Sequence, residues 1–191
     1  MIDIESVEQL KIKHGLTPGD TTTSGSGISK LLQKQVNHEF DNEKLYLTMA
    51  FWCDYNGYPE TAAFFSEHSL EERKHGMDFV NHMLSRHIKV SAIELESESE
   101  DDFKDLEDIL KAALKREIET TKLIKKLHSE ALTSSDLALT IASKYLLEQL
   151  EEEQLFTSIL NLYKLCDGNK IDFEMTISKI KEKDRYKLGT I

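Results

Sequence analysis

The chain has 191 residues, and its 24 Lys and Arg residues are outnumbered by 35 Asp and Glu residues, which gives a formal charge of −11. A phosphate backbone would repel so acidic a chain, which excludes a general nucleic-acid binder. No apolar run approaches the roughly 18 residues of a membrane span, and the acidic start MIDIESVEQL is unlike a secretory signal, so we expect a cytoplasmic protein with no membrane partner. Cys53 and Cys166 form no CxxC pair, so a metal site would use oxygen and nitrogen ligands.

Prolines and glycines divide the chain into long uninterrupted segments. Both prolines and seven of the eight glycines fall within residues 15–27, 57–59, 168 and 189. Between them, apolar residues recur at the helical period of about 3.6 residues, and no segment shows convincing strand alternation. The sequence therefore predicts an all-α protein with helices over residues 28–56, 59–88, 102–131, 135–165 and 171–183.

The lengths of the connections predict how these helices are arranged. Tight turns join the first helix to the second and the third to the fourth, so each pair should form an antiparallel hairpin. The segment 89–101 has about 13 residues and can reach roughly 43 Å when extended, which is about the length of a 29-residue helix. It can run the length of a bundle, with Val90, Ile93 and Leu95 available to anchor it. This predicts a four-helix bundle with one long crossover and with the second and third helices parallel.

The chain divides into three predicted parts. Residues 1–27 form an N-terminal extension, in which apolar residues at helical spacing precede the flexible linker HGLTPGDTTTSGSG. Residues 28–165 form the bundle, and residues 166–191 form a short C-terminal helix and tail. We expect the extension to be an appendage without a function of its own, because loose termini are common.

The apolar face of each bundle helix has a carboxylate near its centre. Placing residues at about 100° intervals points Glu39, Glu72, Glu117 and Glu152 inward, one from each helix. His75 follows Glu72 by one turn on the same face. Counted from the turns, the four carboxylates lie within about one helical turn of the same level. They should therefore converge near the middle of the bundle.

Converging buried carboxylates require a positive partner, because burial and mutual repulsion would otherwise force them to protonate. None of the inward faces contains a Lys or Arg. A multivalent cation would meet this need, and oxygen ligands with one imidazole suit Fe, Mn or Zn. The bundle-core pattern of one Glu from each of two helices plus E-x-x-H motifs describes a two-metal carboxylate site. A lone E-x-x-H motif is usually a solvated pair, so the prediction depends on the convergence.

Four further residues near this predicted site bear on its environment. Gly76, the only glycine inside a predicted helix, costs about 1 kcal/mol there unless a close approach requires it. His68 points inward and is either a satisfied core histidine or part of the site. His38 and Glu153 fall off the inward faces and are predicted to be exposed.

Four segments within residues 28–165 resemble the non-haem bacterial ferritins. They are NHEFDNEKLYLTMAFWCDYNGY, AAFFSEHSLEERKH, KREIETTKLI and YLLEQLEEEQLF. The resemblance implies a ferritin-like four-helix bundle with one long crossover. It also implies a homo-oligomer, usually a 24-subunit cage, that takes up iron and contains no haem.

The resemblance also implies which residues bind iron. Glu39, Glu72 and His75 would hold the first iron of a di-iron site. Glu72, as a bridging ligand, would hold the second iron together with Glu117 and Glu152. These are the inward residues that the helical periodicity identifies independently.

Further roles follow from the resemblance alone. Gln149 would form a hydrogen bond near the second iron, and Tyr46 would be a redox-active neighbour of the site. A third iron would bind to additional carboxylates on the second and fourth helices, namely Glu71, Glu148 and Glu151.

The implied activity is that of a ferroxidase, which oxidises Fe(II) with dioxygen and stores the Fe(III) as a mineral. Leu155 stands three residues after Glu152, where a bacterioferritin would have the His of a second E-x-x-H motif. Two cysteines cannot build the four-cysteine module of a rubrerythrin. Two alternatives remain, a non-storage di-iron oxidoreductase that reduces peroxide and a non-catalytic metal-binding bundle. The first needs an electron-donor domain or a substrate cavity, and the sequence shows neither.

Overall fold

The structure, a computed structural model, describes residues 27–95 and 103–188. These residues form five helices and no strand, which confirms the all-α prediction, and none of the helices is long and apolar enough to cross a membrane. The predicted extension, residues 1–27, lies outside the described residues apart from Gly27. The helices are α1 (Gly27–Tyr55), α2 (Pro59–Ser85), α3 (Leu106–Ser134), α4 (Ala138–Leu165) and α5 (Lys170–Leu188).

Single residues at or next to the first turn determine where three of the helices begin. Pro59 opens α2, where its missing N–H leaves no hydrogen bond unmade. Asp105 accepts a hydrogen bond of 2.9 Å from a backbone N–H of the first turn of α3, so this helix begins at Leu106 and not at residue 102. Asp136 accepts a 2.7 Å hydrogen bond from the backbone N–H of Ala138, and α4 begins at Ala138 and not at residue 135.

Contacts at both ends of α1 show that the α2–α3 connection spans the bundle. Near the start of α1, Gln33 Oε1 accepts a hydrogen bond of 2.8 Å from the Ser91 backbone N–H. Near its end, Trp52 Nε1 donates a hydrogen bond of 3.1 Å to the Phe103 carbonyl. The chain therefore returns to the end of the bundle at which α2 began, and α2 and α3 run parallel. The predicted long crossover is confirmed.

The anchoring of this crossover is only partly as predicted. Val90 packs against the apolar core, and Ile88, which was not among the predicted anchors, is buried in the same cluster. Ile93 and Leu95 are 44% and 49% exposed, so the prediction that they anchor the segment is wrong. All of residues 91–95 are exposed on the surface of the bundle.

Two apolar clusters fill the bundle, one on either side of a layer of polar side chains. One cluster includes Tyr46, Phe65 and Phe156, and the other includes Leu32 and Phe79. Along all four bundle helices, most of the buried polar residues fall between the two clusters. We call the following residues the polar layer: Glu39, Asn42, Ser69, Glu72, His75, Glu117, Thr120, Thr121, Gln149 and the half-buried Glu152.

Helix α5 packs on the end of the bundle where α2 begins. Phe173 and Ile177 are buried in the nearer apolar cluster. Glu174 accepts hydrogen bonds from the backbone N–H groups of Glu60 at 2.7 Å and Thr61 at 3.3 Å. These donors at a helix start have no partner within their own helix, so α5 both covers and caps α2.

Candidate metal centre

Glu39 on α1 and the pair Glu72 and His75 on α2 form a buried group of candidate metal ligands. One ligand atom of each lies within 4.8 Å of the others. Gly76 allows the two helices to approach, because a Cβ at this position would lie 3.0 Å from Phe40 Cε2 and 3.3 Å from Glu39 Cβ. The close approach predicted for Gly76 is confirmed.

Helices α3 and α4 contribute the other two inward carboxylates. Glu117 is fully buried and accepts hydrogen bonds from the Tyr46 phenol and from Gln149 Nε2, the latter at 3.1 Å. Tyr46 and Gln149 therefore both contact the same carboxylate. Glu152 is half-buried, and its Oε2 atom is buried without a hydrogen-bond partner. A buried polar atom of this kind needs an explanation, and a role as a cation ligand is one.

A second group of candidate ligands consists of His68, Glu71 and Glu152, whose ligand atoms also lie within 4.8 Å of one another. His68 Nδ1 lies 3.0 Å from the Phe64 carbonyl oxygen, which can only accept, so Nδ1 carries a proton. In the neutral ring, Nε2 then carries a lone pair that a metal could share. Nε2 lies 3.7 Å from Glu152 Oε2 and 3.9 Å from Glu71 Oε2. The histidine whose role the sequence left open lies beside two carboxylates.

The three carboxylates implied for a third iron are not brought together. Glu71 belongs to the second group, whereas Glu148 Oε1 lies 3.1 Å from His75 Nε2. Glu151 is exposed and belongs to neither group of candidate ligands found among the described residues. The carboxylate beside Glu71 is that of Glu152.

Burial of several acids together raises their pKa values. Burial and the charge of Glu72 raise the pKa of Glu39 well above its usual range. The same two causes raise the pKa of Glu117 to about 8, and burial with the charge of Glu117 raises the pKa of Glu152 to about 9. No Lys or Arg side chain is buried in the described part of the chain. The metal-free polar layer therefore retains protons that a cation would displace.

His75 lowers the pKa values of two other carboxylates, Glu72 and Glu148. Burial opposes ionisation of Glu72, but hydrogen bonds with His75 and Glu39 outweigh it and lower the pKa of Glu72. The hydrogen bond with His75 likewise lowers the pKa of Glu148. Burial alone would lower the pKa of His75, but hydrogen bonds with Glu148 and Glu72 raise it to about 11. His75 is therefore an imidazolium in the metal-free protein.

Two consecutive threonines on α3 contact the two halves of the polar layer. Thr120 Oγ1 lies 3.2 Å from Asn42 Nδ2, which lies 3.2 Å from Glu72 Oε2. Thr121 Oγ1 lies 2.9 Å from Gln149 Oε1. Both threonines and Asn42 were absent from the predicted site, because the prediction from periodicity used only inward carboxylates and histidines. Polar residues on the inward faces, at the level of the carboxylates, are the signal that could have found them.

Two residues predicted to be exposed are half-buried. His38 Nε2 lies 2.8 Å from Thr120 Oγ1, and burial with the nearby charge of Arg116 lowers the pKa of His38 to about 4. Glu153 accepts a hydrogen bond of 2.6 Å from Thr121 Oγ1. Both lie at the edge of an inward face where α3 covers them, which the periodicity of a single helix cannot show.

Comparisons with known proteins agree with the resemblance. The model of a ferritin-like domain matches residues 29–166. The chain is 35% identical over 138 residues to a probable bacterial non-heme ferritin-like protein of Haemophilus influenzae, a match that covers 70% of this chain and 81% of that protein. It is 32% identical over 141 residues to the bacterial non-heme ferritin of Campylobacter jejuni, covering 72% and 83%.

Solved structures share the fold. An open pore ferritin from Archaeoglobus fulgidus matches with a TM-score of 0.76 over 81% of this chain and 95% of that chain, and at 22% identity this likeness concerns the fold alone. A PmFTN variant soaked in iron matches with a TM-score of 0.67 and 31% identity, over 75% of this chain and 90% of that chain. The chain belongs to the ferritin family, and the curated relatives that it matches are bacterial non-haem ferritins.

Proposed function

We propose that this protein is an iron-storage ferritin with ferroxidase activity. It oxidises Fe(II) with dioxygen at the centre of the bundle and stores the Fe(III) mineral inside a homo-oligomeric, 24-subunit cage in the cytoplasm. The observation that carries the proposal is the polar layer, in which Glu39, Glu72, His75, Glu117 and Glu152 lie together and to which the described residues bring no buried Lys or Arg. Membership of the ferritin family supports the same function.

The proposed roles divide the ligands of the centre into two sets, one for each iron. Glu39, Glu72 and His75 would bind one Fe(II), and Glu72, Glu117 and Glu152 the other. Carboxylates favour Fe(III) over Fe(II), so they lower the reduction potential of the bound ions and promote oxidation. Two Fe(II) ions give one electron each to dioxygen, which takes up two protons and becomes hydrogen peroxide. Each Fe(III) then reacts with two water molecules to give FeO(OH) and three protons.

The second group of ligands provides a position for iron that leaves the centre. Glu152 belongs both to the proposed second iron position and to the group with His68 and Glu71. An ion can therefore move between them by exchanging ligands without crossing an apolar stretch. We assign the third iron to His68, Glu71 and Glu152, in place of the set with Glu148 and Glu151.

Anaerobic loading with Fe(II) followed by exposure to air tests the proposal. The protein should oxidise about two Fe(II) ions per chain rapidly and then form mineral more slowly. Glu72→Ala combined with His75→Ala should abolish the rapid phase and leave the fold intact, because both partners of a buried pair of opposite charges are removed together and neither charge is left uncompensated. His128→Ala with Glu130→Ala is the control, since it changes the same residue types outside both groups. Rapid oxidation that survives in the first variant would contradict the proposed site.

Three further measurements separate storage from the alternatives. Native mass spectrometry should find a large homo-oligomer, and a monomer or dimer would exclude storage. Oxidation by hydrogen peroxide that is much faster than by dioxygen would instead identify a peroxide-reducing enzyme. Metal binding without any oxidation of Fe(II) would identify a non-catalytic bundle.

A further inference from the structure

We propose that Asn42 and Thr120 are positioning residues that hold Glu39 and Glu72 in the arrangement that binds metal. The inference rests on the proposed function of the centre and extends it to residues that are not themselves candidate ligands. Asn42 lies on α1, one turn after Glu39, and Thr120 lies on α3, one turn after Glu117. Both side chains are buried in the polar layer.

The amide nitrogen of Asn42 contacts both carboxylates of the α1–α2 group. Nδ2 lies 3.2 Å from Glu72 Oε2 and 3.4 Å from Glu39 Oε2. Asn42 Oδ1, in contrast, is buried without a hydrogen-bond partner, although buried acceptors are nearly always paired. Rotating the amide by half a turn would place this oxygen against the two carboxylates and remove both contacts. The side chain is therefore oriented for its N–H groups, and its unpaired oxygen is the consequence.

Thr120 fixes this orientation of the amide. Its hydroxyl lies 3.0 Å from the Arg116 backbone carbonyl, to which it donates its single proton. The oxygen can then only accept, and it lies 3.2 Å from Asn42 Nδ2 and 2.8 Å from His38 Nε2. An acceptor at this position favours the amide nitrogen of Asn42 over its oxygen. Thr120 thus acts on the centre through Asn42, and its hydrogen bonds are to Asn42, His38 and the Arg116 carbonyl rather than to a candidate ligand.

The proton count explains why Asn42 holds the two carboxylates together. Nδ2 has two protons and three neighbouring acceptors, of which Thr120 Oγ1 takes one proton. The other proton is left for the adjacent oxygens of Glu39 and Glu72, which are thereby held beside one nitrogen. Because these carboxylates come from different helices, Asn42 sets their separation before a metal arrives. Contacts of this kind orient metal ligands and contribute to metal affinity.

Titration of the metal-free protein with Co(II), followed by its d–d absorption, tests the inference without requiring oxidation of iron. Thr120→Val removes the hydroxyl and retains the shape, whereas Thr120→Ser retains the hydroxyl. Thr120→Val should weaken Co(II) binding roughly tenfold and change the d–d spectrum, and Thr120→Ser should bind as the wild type does. Thr48→Val is the matched control, because Thr48 also donates to the carbonyl four residues earlier, at 3.0 Å from Lys44 O, but lies outside the polar layer.

A double variant tests whether Thr120 acts through Asn42. Asn42→Leu with Thr120→Val should bind Co(II) no more weakly than Asn42→Leu alone, because the second change removes a contact that is already lost. Circular dichroism checks the fold. If Asn42→Leu does not fold, the comparison of Thr120→Val with Thr120→Ser decides the outcome. Wild-type affinity in Thr120→Val, or additive losses in the double variant, would overturn the inference and leave the proposed function intact. Failure of the wild type to bind Co(II) would overturn both.

Discussion

His75 Nε2 lies 3.1 Å from Glu148 Oε1, while its Nδ1 lies 3.7 Å from Glu72 Oε2, so both ring nitrogens have an acidic partner. These two carboxylates raise the pKa of His75 to about 11, although burial alone would lower it. In the metal-free protein the ring is therefore charged and has no free lone pair. A metal must displace a proton before His75 can bind it, which makes binding depend on pH.

Glu148→Gln should strengthen metal binding at low pH. The amide retains the shape of the side chain but lacks the charge that stabilises the imidazolium, so the pKa of His75 should fall. The affinity for Co(II) at pH 6.5 should rise roughly tenfold for each unit by which this pKa falls. Glu151→Gln, an exposed change on the same helix, is the control and should have no effect. Weaker binding in Glu148→Gln would show instead that Glu148 is itself a required ligand.

The metal-free protein should lose stability as the pH rises from about 6 to 8.5, above most of the range in which the lowered pKa of His38, about 4, acts in the opposite direction. The folded state raises the pKa of Glu117 to about 8 and that of Glu152 to about 9, from a usual value of 4.5. Their contribution is complete below pH 4.5 and is lost progressively as the pH rises to these values. His75 acts in the same direction above pH 6.5. Unfolding free energies should fall by at least about 1 kcal/mol across this window.

Thermal unfolding at pH 6 and pH 8.5 measures this effect. Glu117→Gln cannot ionise, so the metal-free variant should lose less stability between the two values than the wild type. Addition of Zn(II) at pH 8.5 should restore the stability of the wild type, because the cation replaces the lost protons. A metal-free wild type that is more stable at pH 8.5 than at pH 6 would contradict the assignment of these protons.

The fold could be predicted from the sequence because the prolines and glycines mark the ends of the helices, and the lengths of the connections allow few arrangements of these helices. The segment between α2 and α3 is long enough to span the bundle, and this alone made those two helices parallel. Helix starts were less accurate, because they depend on single caps such as Asp105 and Asp136. The exposure of Ile93 and Leu95 could not be predicted, since it depends on where the crossover leaves the bundle surface.

The inward carboxylates could be predicted because each one interrupts the apolar period of its own helix. The hydrogen-bonding partners could not, because they depend on which helix lies opposite. His38 reaches Thr120, and Glu153 reaches Thr121, only because α3 packs beside both α1 and α4. The position of Glu152 beside His68 likewise depends on how α2 and α4 are rotated relative to each other, and the periodicity of one helix does not give that rotation.

Asp136→Ala should destabilise the protein and spare its oxidation of Fe(II). The Asp136 carboxylate accepts hydrogen bonds from Arg86 at 2.6 and 2.9 Å and from the Ala138 N–H at 2.7 Å, and the Arg86 contact lowers the pKa of Asp136. Loss of this cap and half-buried ion pair should cost about 1–2 kcal/mol, measured by chemical unfolding. Lys144→Ala, which removes a more exposed ion pair with Asp78, should cost less than about 1 kcal/mol.

An opposite outcome for Asp136→Ala would identify a different role. Slower oxidation of Fe(II) at unchanged stability would mean that this carboxylate attracts iron on its way into the protein. The bidentate contact with Arg86 argues against this, because the guanidinium neutralises the charge that would draw a cation.

Gly76→Ala should weaken metal binding with little change in stability. Alanine favours a helix over glycine by about 1 kcal/mol, but the added Cβ would lie 3.0 Å from Phe40 Cε2 and 3.3 Å from Glu39 Cβ. Overpacking of this kind costs about 1–3 kcal/mol, so the two effects largely offset each other in the unfolding free energy. The Co(II) affinity should fall roughly tenfold, because α1 must move away from α2 and the separation of Glu39 from Glu72 increases.

Phe40→Leu combined with Gly76→Ala distinguishes the two close contacts. The ring of Phe40 can turn aside, whereas Glu39 Cβ moves only with the backbone of α1. Removing the ring therefore relieves the 3.0 Å contact but leaves the 3.3 Å contact with Glu39. If displacement of Glu39 weakens metal binding, the double variant should remain as weak as Gly76→Ala in the Co(II) titration. Recovery of wild-type affinity would assign the effect to the ring, and the helix separation at Gly76 would then not be what sets the distance between the ligands.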